Sequence, residues 1–380
     1  MSSQPPDRRE FLKTSLTTAA VAWTAARGTR AAADAPPPQT ARTPRIKFAT
    51  IGLNHGHINS QTDAVIHGGG ELVSFFAKEP DLVEPYAKRY PSAKLARSEK
   101  EILEDPSIQL VVSASIPNER GPLGVAVMKH GKDFMVDKPA MTTLEQLAEL
   151  RKTQAETKRI FSVLFGEHYE NKATVKAGEL VKAGAIGKVV QTVCLGPHQI
   201  NQPNAKPRPA WFFERERYGG ILCDIASHDF DQFLFFTGST KAEIIASQVG
   251  NVHHPQWPGL EDFGDAVVRG DGGSGYIRVD WFTPGGLGTW GDGRLTILGT
   301  DGFIEVRKNV DIGGRKGGNH LFLVDQKETR YVDCTDTPLL YGERLVDDVL
   351  NRTATAMPQA HTFLAMELAL LAEKHARKLT

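Results

Sequence analysis

The chain has 380 residues, long enough for two domains with cores of their own. Its 45 basic and 45 acidic side chains cancel, so no charge footprint marks a nucleic-acid or membrane-surface partner. Three widely spaced cysteines, Cys194, Cys223 and Cys334, form neither a disulfide framework nor a zinc pattern. Beyond the N-terminus no apolar run reaches the roughly 20 residues that span a bilayer.

In chain order, the first element is an address. "DRREFLK", with Arg8-Arg9 before Phe11, Leu12 and Lys13, precedes a mildly apolar stretch, Thr14 to Ala26, and then "AAADA". This reads as a twin-arginine export signal over 1–33, cleaved after Ala33, which places the mature protein in the periplasm or otherwise outside the cytoplasm. A disordered basic arm is the plainer alternative. Residues 34–44, rich in proline, read as an extended linker.

From 45 to 165 short apolar strands alternate with amphipathic helices. The expected strands are "IKFATIGL", "ELVSFFAK", "IQLVVSAS", "DFMV" and "IFSVLF"; the expected helices are 57–67, 82–90, 118–130 and 143–157. That alternation predicts a Rossmann-like, doubly wound parallel sheet, with ligands beyond the strands' carboxyl ends. The pattern changes after Gly166. A helix (171–184), a long strand (188–195), a Pro- and Asn-rich loop and a helix (220–236) lead into strands such as "AEIIASQVG", "GYIRVDWF" and "RLTILG". Residues 166–357 therefore read as an α+β domain with a mostly antiparallel open sheet. A last helix, 358–377, is expected to pack back on the first domain.

Three stretches carry candidate chemistry. "IGLNHGHINS" follows the first strand as a dinucleotide turn would, but only Gly52 matches G-x-G-x-x-G. Asn54 and His57 replace the second and third glycines, and His55 and Gly56 lie between them. Asn54 tolerates unusual backbone angles. His57 either donates to a phosphate or substrate oxygen or merely begins the helix. "VDKPA" puts Asp137 and Lys138 at a strand's carboxyl end, where desolvation can turn a lysine into an acid or base. "GGILCDIASHDFD" spaces Asp224 and His228 four apart, on one helical face, with Asp231 three further on. A carboxylate beside an imidazole suits proton abstraction from a hydroxyl. A surface ion pair, or Asp224, His228 and Asp231 as ligands of a divalent ion, are the other readings.

These motifs, in order with "SIPN" (Ser115 to Asn118, including Pro117), "LVKAGAIGKVV" and "LTILGTDGFIEV", resemble the Gfo/Idh/MocA family of glucose–fructose oxidoreductase and inositol dehydrogenase. The resemblance spans about 45 to 377. It implies a nicotinamide cofactor flanked by the lysine of an E-K-P motif and by an aspartate and histidine four apart. Lys138, Asp224 and His228 match those positions, and Asp137 stands where the family has Glu. The implied cofactor contacts are Gly52, Asn54, His55, Gly56, His57, Lys78, Ser115, Pro117, Asn118, Asp137 and Lys138. The second strand lacks the acid that would take the ribose hydroxyls of NAD. Lys78 there favours NADP if it reads a 2′-phosphate, and favours nothing if it is a surface lysine. The altered turn leaves a third outcome open, that no cofactor is bound.

The family's substrates imply a carbohydrate, with His198, Arg208, Trp211, Trp290 and Arg294 as candidate contacts. Trp211 read as core, or Trp290 and Arg294 read as parts of a hairpin turn, are the bland alternatives. An exported enzyme would keep its cofactor bound and recycle it internally. Redox-assisted glycoside cleavage, cofactor-free hydrolysis by His57, Asp224 and His228, and a non-catalytic sugar-binding protein are the competing expectations. The resemblance further implies a dimer or tetramer built through the open sheet.

Overall fold

The computed structural model describes residues 44–201 and 207–379. The expected export signal, and the linker up to its last residue, lie outside the described residues.

The first half is a parallel sheet of six strands, β1 (Ile46–Ile51), β2 (Gly70–Phe76), β3 (Lys94–Leu95), β4 (Leu110–Ser113), β5 (Asp133–Asp137) and β6 (Phe161–Leu164). Their order is β3-β2-β1-β4-β5-β6, all parallel. Helices α1 (Ile58–His67), α2 (Pro80–Arg89), α3 (Glu99–Glu104), α4 (Pro117–Lys129) and α5 (Leu144–Thr157) make the crossovers. Strands β4, β5 and β6 are buried along their whole length, which is why they read as unbroken apolar runs rather than as alternations. Strand order reverses between β1 and β4, so the crevice of this fold opens beyond Ile51 and Ser113.

The second half begins with α6 (Gly166–Tyr169) and α7 (Lys172–Lys182). Its strands are β7 (Val189–Pro197), β8 (Ala242–Gly250), β9 (Phe263–Gly270), β10 (Ser274–Asp280), β11 (Arg294–Gly299), β12 (Gly302–Arg307), β13 (His320–Asp325), β14 (Thr329–Val332) and β15 (Arg377–Lys378). They form one sheet in the order β14-β13-β12-β11-β7-β10-β9-β8-β15. It is antiparallel except where β10 meets β7 and β15 meets β8.

Helices α8 (Arg215–Tyr218), α9 (Ile221–Asp224) and α10 (Ser227–Thr237) precede β8. Several elements escaped the sequence reading, among them strand β3, helix α3, the hairpin β13–β14 and helix α11 (Tyr341–Asn351). The last helix, α12 (Gln359–His375), packs on both halves rather than on the first alone. Phe363 stacks on Phe161 and Arg151 pairs with Glu367, while His361 bonds Asp231 and Glu373 accepts from Leu222 N–H. Among the described residues no helix is long and apolar enough to cross a membrane.

Candidate functional site

The turn after β1 divides two cavities. Gly52 has φ +81°, and a Cβ there would lie 2.5 Å from the Ser115 Cβ, so only glycine lets β1 approach β4 this closely. The crossing is stitched by Gly52 N–H to Phe76 O, Ala114 N–H to Gly52 O and His55 N–H to Ala114 O. Asn54 needs none of its tolerance for left-handed backbone, because it does not adopt a positive φ. Gly56 is not demanded by space either, since a Cβ there would meet nothing. His57 caps α1 in ordinary helical geometry, φ −61°.

On one side of this turn lies a cavity of about 370 Å³ lined by Gly52, Asn54, Lys78, Ser115 and Asn118. The Asn118 Oδ1 is buried without a partner, an acceptor that a bound group could satisfy. Pro117 is buried as the first residue of α4 and is not part of the lining. The cavity sits at the sheet's switch point, where an adenosine half would lie, and the Gly52 cradle suits it. Lys78 is 60% exposed and spoken for, with Nζ 3.2 Å from Glu119 and 3.7 Å from Glu99.

On the other side is a cleft of about 430 Å³ that gathers His55, His57, Lys138, His198, Arg208, Asp224, His228 and Trp290. Lys138 and Asp224 are buried, and the Lys138 ammonium donates to Asp224 Oδ1 at 3.0 Å. The expected single helix is broken here: α9 ends at Asp224, Ile225 and Ala226 turn, and α10 starts at Ser227. Asp224 and His228 still share the cleft, but the carboxylate's partner is Lys138, and the buried His228 Nδ1 has none. Burial, then the Lys138 charge, pushes the His228 imidazole well below its usual range, so it is neutral.

Lys138 is aimed by a residue the sequence reading did not single out. Arg120, 1% exposed, donates to the carbonyls of Ser115, Asp137, Lys138 and Pro139 and to the Asp137 carboxylate. The shape of "VDKPA" is thus fixed by one guanidinium from α4. Burial opposes ionisation of Asp137, but His57, Arg120 and His55 outweigh it and hold the carboxyl well below its ordinary value. Burial and the neighbouring His57 lower His55 to about 4.

The far wall departs from expectation in several places. Trp211 is buried core, packed on Phe212, and does not line the cleft; Trp281 and Trp290 do. Arg294 turns to Asp292 in an ion pair and is not on the lining. Arg208 lies over Phe212 and Trp281, with its Nε–H donated to Ile200 O at 2.8 Å. A buried Glu167–Lys308 ion pair closes the cleft, unannounced by either residue's local sequence. Burial raises the Glu167 carboxyl, but Lys308 overcomes it and holds it at about 2. Asp231 faces away from Asp224 and His228: it accepts from His168 and His361, each at 2.7 Å, so the three do not form the divalent-ion ligand set.

Residues 46–165 match a model of the oxidoreductase family with an NAD-binding Rossmann fold, and residues 174–305 match the GFO/IDH/MocA C-terminal domain. A solved oxidoreductase from Erwinia carotovora atroseptica is 44% identical, with a TM-score of 0.85 over 88% of this chain and 100% of that one. The chain belongs to the Gfo/Idh/MocA oxidoreductase family. Within that family it is 24% identical to scyllo-inositol 2-dehydrogenase (NAD(+)) of Bacillus subtilis over 74% of this chain and 80% of that one. Myo-inositol 2-dehydrogenase of Thermotoga maritima is 27% identical over 81% and 83% of the two chains. Levoglucosan dehydrogenase, solved with NADH and levoglucosan, shares the fold at a TM-score of 0.71 and 15% identity, over 87% of this chain and 98% of that one.

His198 supplies a test of this family member's cleft. Its imidazole is lowered by burial to about 4, while the unfolded chain binds that proton near 6.5. The unfolded state therefore holds more protons between those values, and the native state loses stability as pH falls from 6.5 to 4. Glu373 works in the opposite direction, since burial, then Glu261, raises it to about 8. The readout is thus a difference. The melting temperature of the wild type minus that of His198→Gln should shrink as pH drops through this window in calorimetry. A constant difference would mean that His198 is not held neutral.

Proposed function

We propose that this chain is an NAD-dependent dehydrogenase acting on a secondary hydroxyl of a sugar or polyol. The observation that carries the reading is the Lys138–Asp224 pair beside a neutral, unpartnered His228, in a cleft separated by one turn from a cavity suited to a dinucleotide. Gly52, Asn54, Ser115 and Asn118 would hold the dinucleotide, which when bound supplies the hydride acceptor. The chain's own part is proton management. The Lys138 ammonium, held by Asp224, orients the substrate hydroxyl oxygen, and neutral His228 accepts its proton. His198, Arg208, Trp281 and Trp290 supply the hydroxyl contacts and apolar faces that sugars use.

NAD is the proposed cofactor in place of the expected NADP because Lys78 is already neutralised. Glu119 and Glu99 pair with it and Glu79 lines the same cavity, so a 2′-phosphate would meet three carboxylates around one ammonium. Lys78→Ala should then weaken NADP and NAD binding equally in fluorescence titrations. A selective loss of NADP would restore Lys78 as a 2′-phosphate reader.

Export by the twin-arginine pathway and internal recycling of a tightly held cofactor belong to the same proposal and rest on "DRREFLK". Lysine in place of Arg8 and Arg9 should keep the protein in the cytoplasm, as fractionation would show. Self-association through the open face of the second sheet is supported by its exposed Val190, Val267, Leu298 and Phe303.

A further inference from the structure

We propose that His55, His57 and Asp137 form a binding site for a divalent transition-metal ion on the inner wall of the cleft. The inference goes beyond the dehydrogenase reading and stands or falls apart from it. The donor atoms of the three side chains all lie within 4.8 Å of one another. His57 Nδ1 is 3.0 Å from one Asp137 oxygen and His55 Nδ1 is 3.3 Å from the other. Donors around a tetrahedral ion bound at about 2.0–2.1 Å sit about 3.3 Å apart, so an ion could be taken up with small shifts of the rings.

The site is built on a rigid base. Asp137 ends β5, is fully buried and is clamped by Arg120 at 3.1 Å, while His55 is tied through its backbone N–H to Ala114 O. The two imidazoles pack edge to face with centroids 4.1 Å apart, which limits how far either can swing. Two imidazoles and one carboxylate are a donor set that holds zinc or ferrous iron and leaves coordination positions open. Both histidines line the cleft that contains Lys138, Asp224 and His228, so those open positions would face the substrate. Glu170, on the same lining, adds a carboxylate to offset the charge of the ion beside Arg120.

This assigns a purpose to the altered turn. Asn54 and His57 replace glycines that a dinucleotide turn would use, and the H-x-H of "NHGH" aims both rings at one buried acid. A bound ion would take a substrate hydroxyl or carbonyl oxygen as ligand and polarise it.

The test uses the full-length protein, stripped with a chelator, desalted and titrated with Zn²⁺, with Co²⁺ as a spectroscopic probe. The expected result is one ion retained per chain, absorption bands of Co²⁺ in a low-coordinate nitrogen and oxygen site, and affinity lowered by at least about tenfold in His55→Ala and in His57→Ala. His57 is the cleaner variant, because its side chain is 44% exposed and its loss leaves the core intact, as circular dichroism would verify. Substoichiometric retention by the wild type, or wild-type affinity in both folded variants, would overturn the site. NADH binding by the same metal-free protein reports on the dehydrogenase reading alone, so the two proposals fail separately.

Discussion

His228→Ala should lower kcat by about 10²–10⁴-fold while leaving folding and dinucleotide affinity unchanged. The fold should tolerate the change because the His228 Nδ1 has no hydrogen-bond partner to abandon. The chemistry should not tolerate it if the neutral His228 beside the Lys138–Asp224 pair accepts the hydroxyl proton, as proposed. Steady-state kinetics on a polyol substrate, with NADH binding measured in parallel, separates the two. Unchanged turnover would remove His228 from the reaction. Lys138→Ala is the less clean experiment, since it strips Asp224 of its buried partner and unsettles the site as well as the chemistry.

Arg120→Ala should destabilise the chain by about 3–5 kcal/mol, the cost of breaking a buried, hydrogen-bonded ion pair by removing one partner. Arg120 and Asp137 are each 1% exposed, and the guanidinium also donates to four backbone carbonyls in buried hydrogen bonds. Chemical denaturation measures the loss. Because Arg120 reaches the substrate only through "VDKPA", it is a positioning residue. Arg120→Lys, which keeps the charge but not the fork, should recover part of the stability while kcat stays low and KM moves little. Full recovery of kcat in Arg120→Lys would mean that charge alone, not the fork's geometry, sets the loop.

These residues show where the sequence could be read and where it could not. Strands β4, β5 and β6 were legible because parallel strands buried on both faces leave unbroken apolar runs, whereas β3, two exposed residues, left no such run, and Gly52 was legible because it alone kept its place in a known turn. Lys138, Asp224 and His228 were singled out by the ordered motifs that resemble the family; spacing alone left a surface lysine and a surface ion pair as readings. Arg120 was not singled out, because its partners lie up to 19 residues away, beyond the rest of α4 and the whole of β5. The Glu167–Lys308 pair joins positions 141 residues apart, and only the folded chain brings them together.

That Trp281 lines the cleft and Trp211 does not was illegible for a similar reason. Both sit in aromatic clusters, and nothing local says which ring faces the core and which the cleft. Helix α11 is a different miss. Leu345, Val346 and Val349 carry a helical stripe that was there to be read. The turn at Ile225–Ala226 could not be foreseen from residues that favour continued helix.

On the dehydrogenase reading, this turn, with one glycine in place of three, still serves a dinucleotide beside a working proton-transfer pair. The most direct measurement is on the purified protein. Any nucleotide released on denaturation is identified by mass spectrometry, and NAD and NADH are then titrated into the nucleotide-free chain. NAD or NADH is expected at one per chain, released or rebound, with NADP bound more weakly. A chain that releases no nucleotide and binds none on titration would contradict that reading.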